Sequence, residues 1–269
     1  MTLVSLLLTG AAGNMGALLR PRLARADRTL RLLDTTPLTA GAGEEAVTGS
    51  VTDPDVVAAA VAGADAVVHL AGISGEAGWD EILEVNVAGT RTVLNAAVAA
   101  GVRTVVLASS NHAAGFRTRD DGVPLPATVE QAPDTYYGWS KAATEGLGRL
   151  YHERFGLTVV SLRIGTCFEK PAGARALATW LSPDDAARLV GAAIDPSTRG
   201  HHVVWGISAN TRRWWSLAEG AAIGFRPRDD AEAYAAEILA GGPEPDPADP
   251  VHHRVGGGFC DVPLGAPMH

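Results

Sequence analysis

The chain has 269 residues, of which 46% are hydrophobic and 19% are charged, and its formal net charge at pH 7 is -8. This length and apolar fraction allow one large buried core, and an acidic chain without a Lys/Arg cluster argues against a nucleic-acid partner. The sequence has neither an apolar run of the roughly 20 residues that a membrane span needs nor a basic leader with a cleavage site, so we expect a cytoplasmic chain without membrane contact.

In chain order, strand-like and helix-like segments alternate up to about residue 165. Short apolar runs predict buried parallel strands, and apolar residues at helical spacing predict the helices between them. The predicted strands are 3–8, 29–33, 66–70, 104–108 and 158–164, and the predicted helices are 14–25, 54–61 (capped by Thr52 or Asp53), 79–100 and 135–155. Strands joined by helical crossovers indicate an α/β fold with a doubly wound parallel sheet.

The rest of the chain is less regular. Ser182 resembles a cap before a predicted helix at 186–194, and further predictions are a strand at 202–205, a helix at 231–239 and an extended surface segment at 241–250. No repeat or domain-splitting linker is evident. We therefore expect a single domain over 1–269, with a nucleotide-binding core at 1–165 and mainly substrate-binding and C-terminal elements at 166–269.

The two cysteines, Cys167 and Cys260, are far apart in the sequence. They have neither metal-ligand spacing nor the spacing of a disulfide framework. We expect reduced thiols and no metal site, with Cys167 as a small buried residue rather than a nucleophile.

A glycine-rich turn, TGAAGNMG at residues 9–16, joins the first predicted strand to the first helix. Glycines in such a turn let the backbone approach a pyrophosphate at the helix N-terminus. The motif predicts cofactor contacts at Gly10, Gly13, Asn14, Met15 and Gly16.

Asp34 ends the second predicted strand, about 20 residues beyond the turn, where a ribose-binding carboxylate belongs. Glycine turns are common and a strand-end Asp often caps a turn, but the two features together favour dinucleotide binding. A carboxylate repels a 2′-phosphate and no Arg is adjacent to Asp34, so NAD is preferred over NADP.

Tyr137 and Lys141 lie four residues apart on a predicted helix and therefore share one face, whereas Tyr136 is matched only by Ser140. A phenol has a pKa of about 10 in water, and a nearby ammonium lowers it toward that of a usable base. Ser110, at the end of the preceding strand, can hydrogen-bond the reacting oxygen, although Ser109 competes for that role.

Together these motifs resemble the extended or atypical short-chain dehydrogenase/reductase superfamily, and the segments HLAG at 69–72 and NVAGT at 86–90 resemble it too. Further segments resemble one family within it, the uronate dehydrogenases, and extend the resemblance over nearly the whole chain. These are GIS at 72–74, SSNH at 109–112, RIGTC at 163–167, Arg175 with TW at 179–180, VWGISAN at 204–210 and WW at 214–215.

This resemblance implies a Rossmann-like fold with a small C-terminal substrate-binding region. It also implies NAD-dependent oxidation of D-glucuronate or D-galacturonate at C1 to an aldarolactone. Tyr137 would act as the base, Ser110 would hold the oxygen, and Lys141 would hold Tyr137 and the nicotinamide ribose. A homo-oligomer paired through helices 79–100 and 135–155 is expected by analogy.

The resemblance also extends the set of expected ligand contacts. Arg175 offers a forked donor for the sugar carboxylate. The ordinary alternatives are that Arg175 is a solvated surface charge and that His112 is a loop histidine. Ser50 and Val51 stand where such sheets often carry an adenine-binding Asp. The further expected cofactor residues are Ser50, Val51, Leu70, Ala71, Gly72, Asn86, Lys141 and Ile164, and the expected substrate residues are Ser74, Ser110, Asn111, His112, Tyr137, Thr166 and Arg175.

Two other functions remain as alternatives. An epimerase or dehydratase of nucleotide sugars would need a longer chain and extra acids near the site, and neither is evident. A non-catalytic NAD-binding sensor would not need a Tyr–Lys pair. The presence of Tyr137, Lys141 and Ser110 favours an enzyme.

Overall fold

The computed structural model describes residues 5–119, 122–240, 242 and 244–268. In these residues seven parallel strands form one sheet in the order β3-β2-β1-β4-β5-β6-β7. The strands are β1 (Ser5–Thr9), β2 (Thr29–Asp34), β3 (Glu44–Thr48), β4 (Ala66–His69), β5 (Thr104–Ser110), β6 (Thr158–Ile164) and β7 (His201–Gly206). This confirms the predicted doubly wound α/β fold, and β7 confirms the strand predicted at 202–205.

Helices connect the strands and cover both faces of the sheet. Those between the strands are α1 (Asn14–Leu23), α2 (Pro54–Val61), α3 (Trp79–Ile82), α4 (Gly89–Ala99), α5 (Tyr136–Phe155), α6 (Ala176–Thr179) and α7 (Pro183–Ala193). The short helices after the last strand are α8 (Ala218–Ala222), α9 (Ala235–Ile238) and α10 (Pro250–His253). Among the described residues, no helix is long and apolar enough to cross a membrane.

The core lies on both sides of the sheet because neighbouring strand residues point to opposite faces. Leu6 and Leu8 of β1 pack with Leu19 of α1 and Leu189 of α7. Leu7, between them, packs on the other face in a cluster that includes residues of α2, α4 and α5. The strands are therefore covered on both faces, which explains why they read as continuous apolar runs.

The strand order reverses between β1 and β4, and ligands bind at such a point beyond the carboxyl ends of the strands. His69, the last residue of β4, forms side-chain hydrogen bonds with Thr9 at 2.7 Å and Thr90 at 3.0 Å. Burial lowers the pKa of His69 to about 3, so the ring is neutral at physiological pH. This histidine braces the two strand ends.

The long helix predicted over 79–100 is confirmed from Trp79 to Ala99, but it is not α-helical throughout. A π-helical segment, Leu83–Ala88, lies between α3 and α4. Within it Asn86 is buried, accepts a hydrogen bond from the backbone N–H of Ile73 at 2.8 Å and donates to the hydroxyl of Ser140 at 3.0 Å. A π-bulge adds a residue to a turn and often occurs at functional sites. Here it accompanies a side chain that braces the loop after β4.

Several element ends also differ from the predictions. Helix α1 ends at Leu23, and the predicted helix over 231–239 divides into a 3₁₀ turn followed by α9. Ser182 does cap α7, which begins already at Pro183. Asp53, not Thr52, caps α2. The segment predicted at 241–250 includes residues 241 and 243, which lie outside the described part.

Candidate active site

A groove of about 600 Å³ lies at the carboxyl ends of β1, β2 and β4, where the strand order reverses. Its size is that of an ordinary small-molecule site. Eleven predicted cofactor residues line it: Gly10, Gly13, Asn14, Met15, Gly16, Asp34, Ser50, Val51, Leu70, Ala71 and Gly72. The groove also includes Ser74, which was predicted to contact substrate, and the half-exposed Phe168, which was not predicted.

The glycine turn follows β1 directly. Gly10 has a φ of 70°, and a Cβ atom there would lie 2.6 Å from the backbone nitrogen of Ala71. A Cβ atom on Gly16 would overlap the backbone of Gly10 and Ala11. Helix α1 begins after Gly13 without a side-chain cap, so its first N–H groups remain available to a phosphate.

Asp34 ends β2 at the edge of the groove. Its two carboxylate oxygens accept hydrogen bonds from the backbone N–H groups of Ala12 and Thr36, each at 2.9 Å. The carboxylate therefore joins the glycine turn to the loop after β2. These two backbone contacts hold it in place at the edge of the groove.

Three predicted cofactor residues are not part of the groove lining. Asn86 lies behind it, next to Gly72, and Lys141 Nζ would be 3.8 Å from a Cβ atom placed on Gly72. Ile164, at the end of β6, packs against the apolar core. Its predicted contact with the cofactor remains a prediction.

Tyr137 and Lys141 are both buried on α5, with Lys141 Nζ 5.4 Å from the centre of the Tyr137 ring. Lys141 donates to the carbonyl oxygen of Ala108 in β5 at 2.8 Å. Thr135 caps this helix by accepting from the N–H of Gly138. The helix is thereby fixed at its N-terminus, and its Tyr–Lys face turns toward the end of β5.

Burial shifts the pKa values of both groups. It raises the pKa of Tyr137 to about 12, against a hydrogen bond to Ser110 that acts in the opposite direction. It lowers the pKa of Lys141 to about 8. In this state the phenol is neutral at pH 7, and additional positive charge is required to make it a phenolate.

The competition between the two serines of β5 is resolved by their contacts. Ser109 donates to the carboxylate of Glu145 at 2.6 Å, and Glu145 forms a buried ion pair with Arg163 at 2.9 Å. Ser110 instead accepts from the backbone N–H of His112 at 3.2 Å, and it lies near enough to Tyr137 to counter the rise in the pKa of the phenol. Ser110 is therefore the serine on the Tyr137 side, and Ser109 belongs to a buried ionic network.

Two predicted substrate residues meet at one carbonyl oxygen of the C-terminal segment. Asn111 donates to the carbonyl of Val255 at 2.8 Å, and Arg175 donates to the same oxygen. Burial lowers the pKa of Arg175 to about 10, so the guanidinium remains charged at pH 7. Thr166 lies apart from this pair, with its hydroxyl 3.4 Å from that of Thr179.

His112 lies between α5 and the C-terminal segment. Its ring stacks on Phe259 at 4.0 Å and lies 5.8 Å from the ring of Tyr137. Its Nδ1 atom is 2.7 Å from a carboxylate oxygen of Asp134. His112 is thus a structured part of the site and not a free loop side chain.

The two cysteines are free thiols, and Cys167 is buried as predicted. Burial raises the pKa of Cys167 to about 12, which keeps the thiol protonated and unreactive. In the described part of the chain, no group of three or more His, Cys, Asp or Glu side chains is arranged to hold a metal ion.

The sequence patterns did not identify four residues that shape the site: Glu76, Asp134, Val255 and Phe259. The fully buried Glu76 accepts from the N–H of Tyr137 at 2.9 Å and from that of Gly265 at 2.7 Å. No periodicity or local motif links such distant positions. An acid in the loop after β4 was the one available signal.

Comparison with known proteins gives concordant results. The model of the NAD dependent epimerase/dehydratase family matches residues 6–214. The uronate dehydrogenase of Pseudomonas putida is 40% identical over 257 residues, which is 95% of each chain. A mutant uronate dehydrogenase from Agrobacterium tumefaciens, complexed with NAD, superimposes with a TM-score of 0.90 at 40% identity and covers 97% of this chain and 98% of its own. A glucuronic acid dehydrogenase from Chromohalobacter salexigens gives 0.92 at 39%, covering 98% and 99%.

Proposed function

Because the chain belongs to the NAD-dependent epimerase/dehydratase family, and within it to the uronate dehydrogenases, we propose that it oxidises C1 of a hexuronic acid with NAD and yields an aldarolactone. The observation that carries the proposal is the convergence of Tyr137, Ser110 and Lys141 beside a dinucleotide-sized groove. D-Glucuronate and D-galacturonate are the two candidate substrates.

The groove fits NAD. The close approach of backbone at Gly10 and Gly16, with the uncapped start of α1, suits a pyrophosphate. Asp34 would accept from the hydroxyls of the adenine ribose, and Ser50 would lie near the adenine. Lys141 is the residue we assign to the nicotinamide ribose. When bound, NAD supplies the positively charged ring that accepts the hydride.

Tyr137 is the base in this proposal. It takes the proton from the anomeric hydroxyl of the ring form of the sugar, while the hydrogen on C1 leaves as hydride. Ser110 donates a hydrogen bond to the same oxygen as the carbonyl of the lactone forms. Lys141 contributes positive charge, which favours the phenolate over the neutral phenol whose pKa burial has raised.

Arg175 is the residue we assign to the substrate carboxylate. Arg175 is half-buried, and among the described residues its guanidinium forms no ion pair, although Asp134 lies within electrostatic reach. Desolvation of a cation is costly, and a bound carboxylate would offset that cost with paired hydrogen bonds. Ser74, Asn111, His112 and Thr166 are proposed partners of the sugar hydroxyls.

The alternatives have less support. A nucleotide-sugar epimerase or dehydratase is compatible with the family model, but three uronate dehydrogenases match 94–96% of the chain at 38–42% identity. A non-catalytic sensor has no use for a Tyr–Ser pair buried beside Lys141. We retain the sensor as the outcome of a negative activity assay.

The experiment is a spectrophotometric assay of NADH formation with D-glucuronate and D-galacturonate, using D-glucose and D-galactose as neutral controls. Turnover confined to the uronates supports the proposal. Tyr137→Phe should lower kcat by a factor of about 100 to 10,000, the usual contribution of a general base, while leaving NAD affinity within a factor of about two. NAD binding without turnover of any of these sugars would instead favour the sensor.

We also propose that the chain forms a homo-oligomer and resides in the cytoplasm. Trp79 and Leu83, on the helices after β4, and Leu150 and Phe155, on α5, are exposed apolar side chains, which suits pairing through these helices. Size-exclusion chromatography with light scattering tests the first proposal. Free thiols at both cysteines are compatible with a reducing compartment.

A further inference from the structure

Asp134 is a buried carboxylate at the sugar side of the site that has no role in the mechanism above. Its side chain is fully buried. One oxygen is 2.7 Å from Nδ1 of His112, and the other accepts from the hydroxyl of Thr135 at 3.0 Å. Since Thr135 caps α5, the carboxylate also lies near the positive end of the catalytic helix, which stabilises a negative charge.

Three glycines from distant segments enclose this carboxylate. A Cβ atom on Gly138 would lie 2.7 Å from its Oδ1 atom, and Cβ atoms on Gly115 and Gly256 would overlap its Oδ2 atom. The loop after β5, the first turn of α5 and the C-terminal segment therefore all approach the carboxylate at distances that only glycine permits. The carboxylate has no room to rotate away from His112.

The ring of His112 is fixed on its face and on one edge. Phe259 stacks on the face with an interplanar angle of 28°. Nδ1 is engaged by Asp134, whereas Nε2 has no hydrogen-bond partner among the residues that the structure describes, and the side chain keeps an exposed fraction of 13%. One ring nitrogen is committed to the protein, and the other is free for a ligand.

The chemistry of this pair determines the tautomer. An ionised carboxylate can only accept a hydrogen bond, so the proton of a neutral imidazole is held on Nδ1 and a lone pair remains on Nε2. We propose that Asp134 is a positioning residue that keeps His112 in this tautomer, so that Nε2 accepts a hydrogen bond from a hydroxyl of the uronate. The inference rests on the proposed function, since it assigns a sugar hydroxyl to this nitrogen.

The pairing of Asp134 with His112 bears on substrate specificity. A site built to hydrogen-bond a hydroxyl discriminates against an analogue that lacks it, because the polar group of the protein is then left unpaired. Asp134 would therefore contribute to the choice of substrate without touching it. Asp134 also lies within electrostatic reach of Tyr137 and Arg175, and the test must separate those routes.

The first test is a double-mutant cycle on kcat/KM for the uronate. Asp134→Asn keeps the volume but allows an amide N–H to donate to Nδ1, which moves the ring proton to Nε2. His112→Phe keeps an aromatic ring on Phe259 and removes the acceptor at Nε2 together with the N–H that donates to Asp134. Each change should lower kcat/KM about 10- to 100-fold, mainly through KM, and the double variant should be no worse than His112→Phe alone. An equal further loss in the double variant would show that Asp134 acts through Tyr137 or Arg175, and would overturn the proposal.

The second test reads the tautomer directly by NMR of the two ring nitrogens in protein labelled with ¹⁵N-histidine, with the signal assigned by its loss in His112→Phe. The wild type should show a proton on Nδ1, and Asp134→Asn should shift the ring toward the other tautomer. An unchanged ring would contradict the proposal. This measurement needs no turnover, so its failure is distinguishable from failure of the uronate assay.

A matched control is available in Asp185, a fully buried acid on α7 that pairs with Arg188 at 2.5 Å and lies outside the groove. Asp185→Asn removes a buried carboxylate in a comparable way. It should lower the melting temperature without changing the KM for the uronate or the His112 signals. An equal effect of this control on both readouts would reduce the Asp134 result to general destabilisation, against the proposal.

Discussion

Glu76 accepts a hydrogen bond from the backbone N–H of Tyr137, and its other carboxylate oxygen accepts one from Gly265 near the end of the chain. The buried carboxylate thus joins three segments: the loop after β4, the first turn of α5 and the C-terminal segment. The position of Tyr137 depends on a contact that lies 61 residues away in sequence.

Replacing Glu76 by Gln should therefore disturb Tyr137 without touching the cofactor groove. The oxygen of the Gln amide can accept from one of the two N–H groups, that of Tyr137 or that of Gly265. The amide nitrogen then faces the other N–H, which is left without an acceptor. Leaving a buried donor unpaired costs about 1–3 kcal/mol of unfolding free energy. We expect urea denaturation to show this loss of unfolding free energy. The variant should also have a lower kcat and an unchanged affinity for NAD. Glu81→Gln, at an exposed position on α3, is the control and should change neither quantity.

Asp34→Ala should weaken the interaction with NAD. Hydrogen bonds to a charged group contribute about 1.5–3 kcal/mol, so the KM for NAD should rise about 10- to 100-fold. Removing the charge should also narrow the preference for NAD over NADP, because the repulsion of a 2′-phosphate disappears. Steady-state kinetics with both nucleotides measure this. Asp53→Ala removes the cap of α2 and should lower stability while leaving both KM values unchanged.

Arg175→Ala should raise the KM for the uronate about 10- to 100-fold, the value of a charge-assisted hydrogen bond, and leave any slow turnover of neutral sugars unaffected. Arg212 is the matched control, since it lines the same small pocket as Arg175 but is already paired with Glu232 and Glu244. If Arg212→Ala raised this KM as much as Arg175→Ala does, the assignment of Arg175 to the carboxylate would be wrong.

Lys141 should make stability depend on pH. Its pKa is about 8 in the folded chain, below the ordinary value of 10.5, so between these values the unfolded chain binds a proton that the folded chain has lost. Stability contributed at this site therefore rises with pH from about 8 to 10.5. Tyr137 acts oppositely above about pH 10, because its folded pKa is raised.

Lys141→Met should remove the rise in folding stability between about pH 8 and 10.5. The wild type should gain stability relative to this variant when urea denaturation is compared at pH 7 and pH 9.5. Lys170, the other lysine of the chain, is exposed, so Lys170→Met should show the same pH dependence as the wild type. A constant difference between the wild type and Lys141→Met across this range would mean that Lys141 has an ordinary pKa in the fold.

The fold and the cofactor side were predictable because their signals are local. Apolar runs defined all the central strands, and the glycine turn with Asp34 lies within a single β-α-β unit. Strand β3 was not predicted from its pattern, since it lies at the edge of the sheet and carries two Glu residues in five positions. The long helix over 79–100 was predicted, but its π-helical segment was not, because no composition signal marks a π-helical turn.

The sugar side was less predictable for a physical reason. Asn111 reaches Val255 across 144 residues, and Glu76 reaches Gly265 across 189. Such contacts depend on how the C-terminal segment folds back, which no periodicity encodes. Asp134 precedes a helix cap and its sequence context suggests capping alone, so its contact with His112 appears only in three dimensions.

The two sides of the active site come from parts of the chain that are synthesised at different times, because the C-terminal segment is made last. Residues 10–85 and Phe168 supply the groove, whereas Val255, Phe259 and Gly265 close the opposite side of the site. The residues that line the nucleotide groove are thus synthesised well before those that brace Tyr137 and His112. Retention on a nucleotide-affinity resin consequently reports on the nucleotide groove and not on the sugar side of the active site.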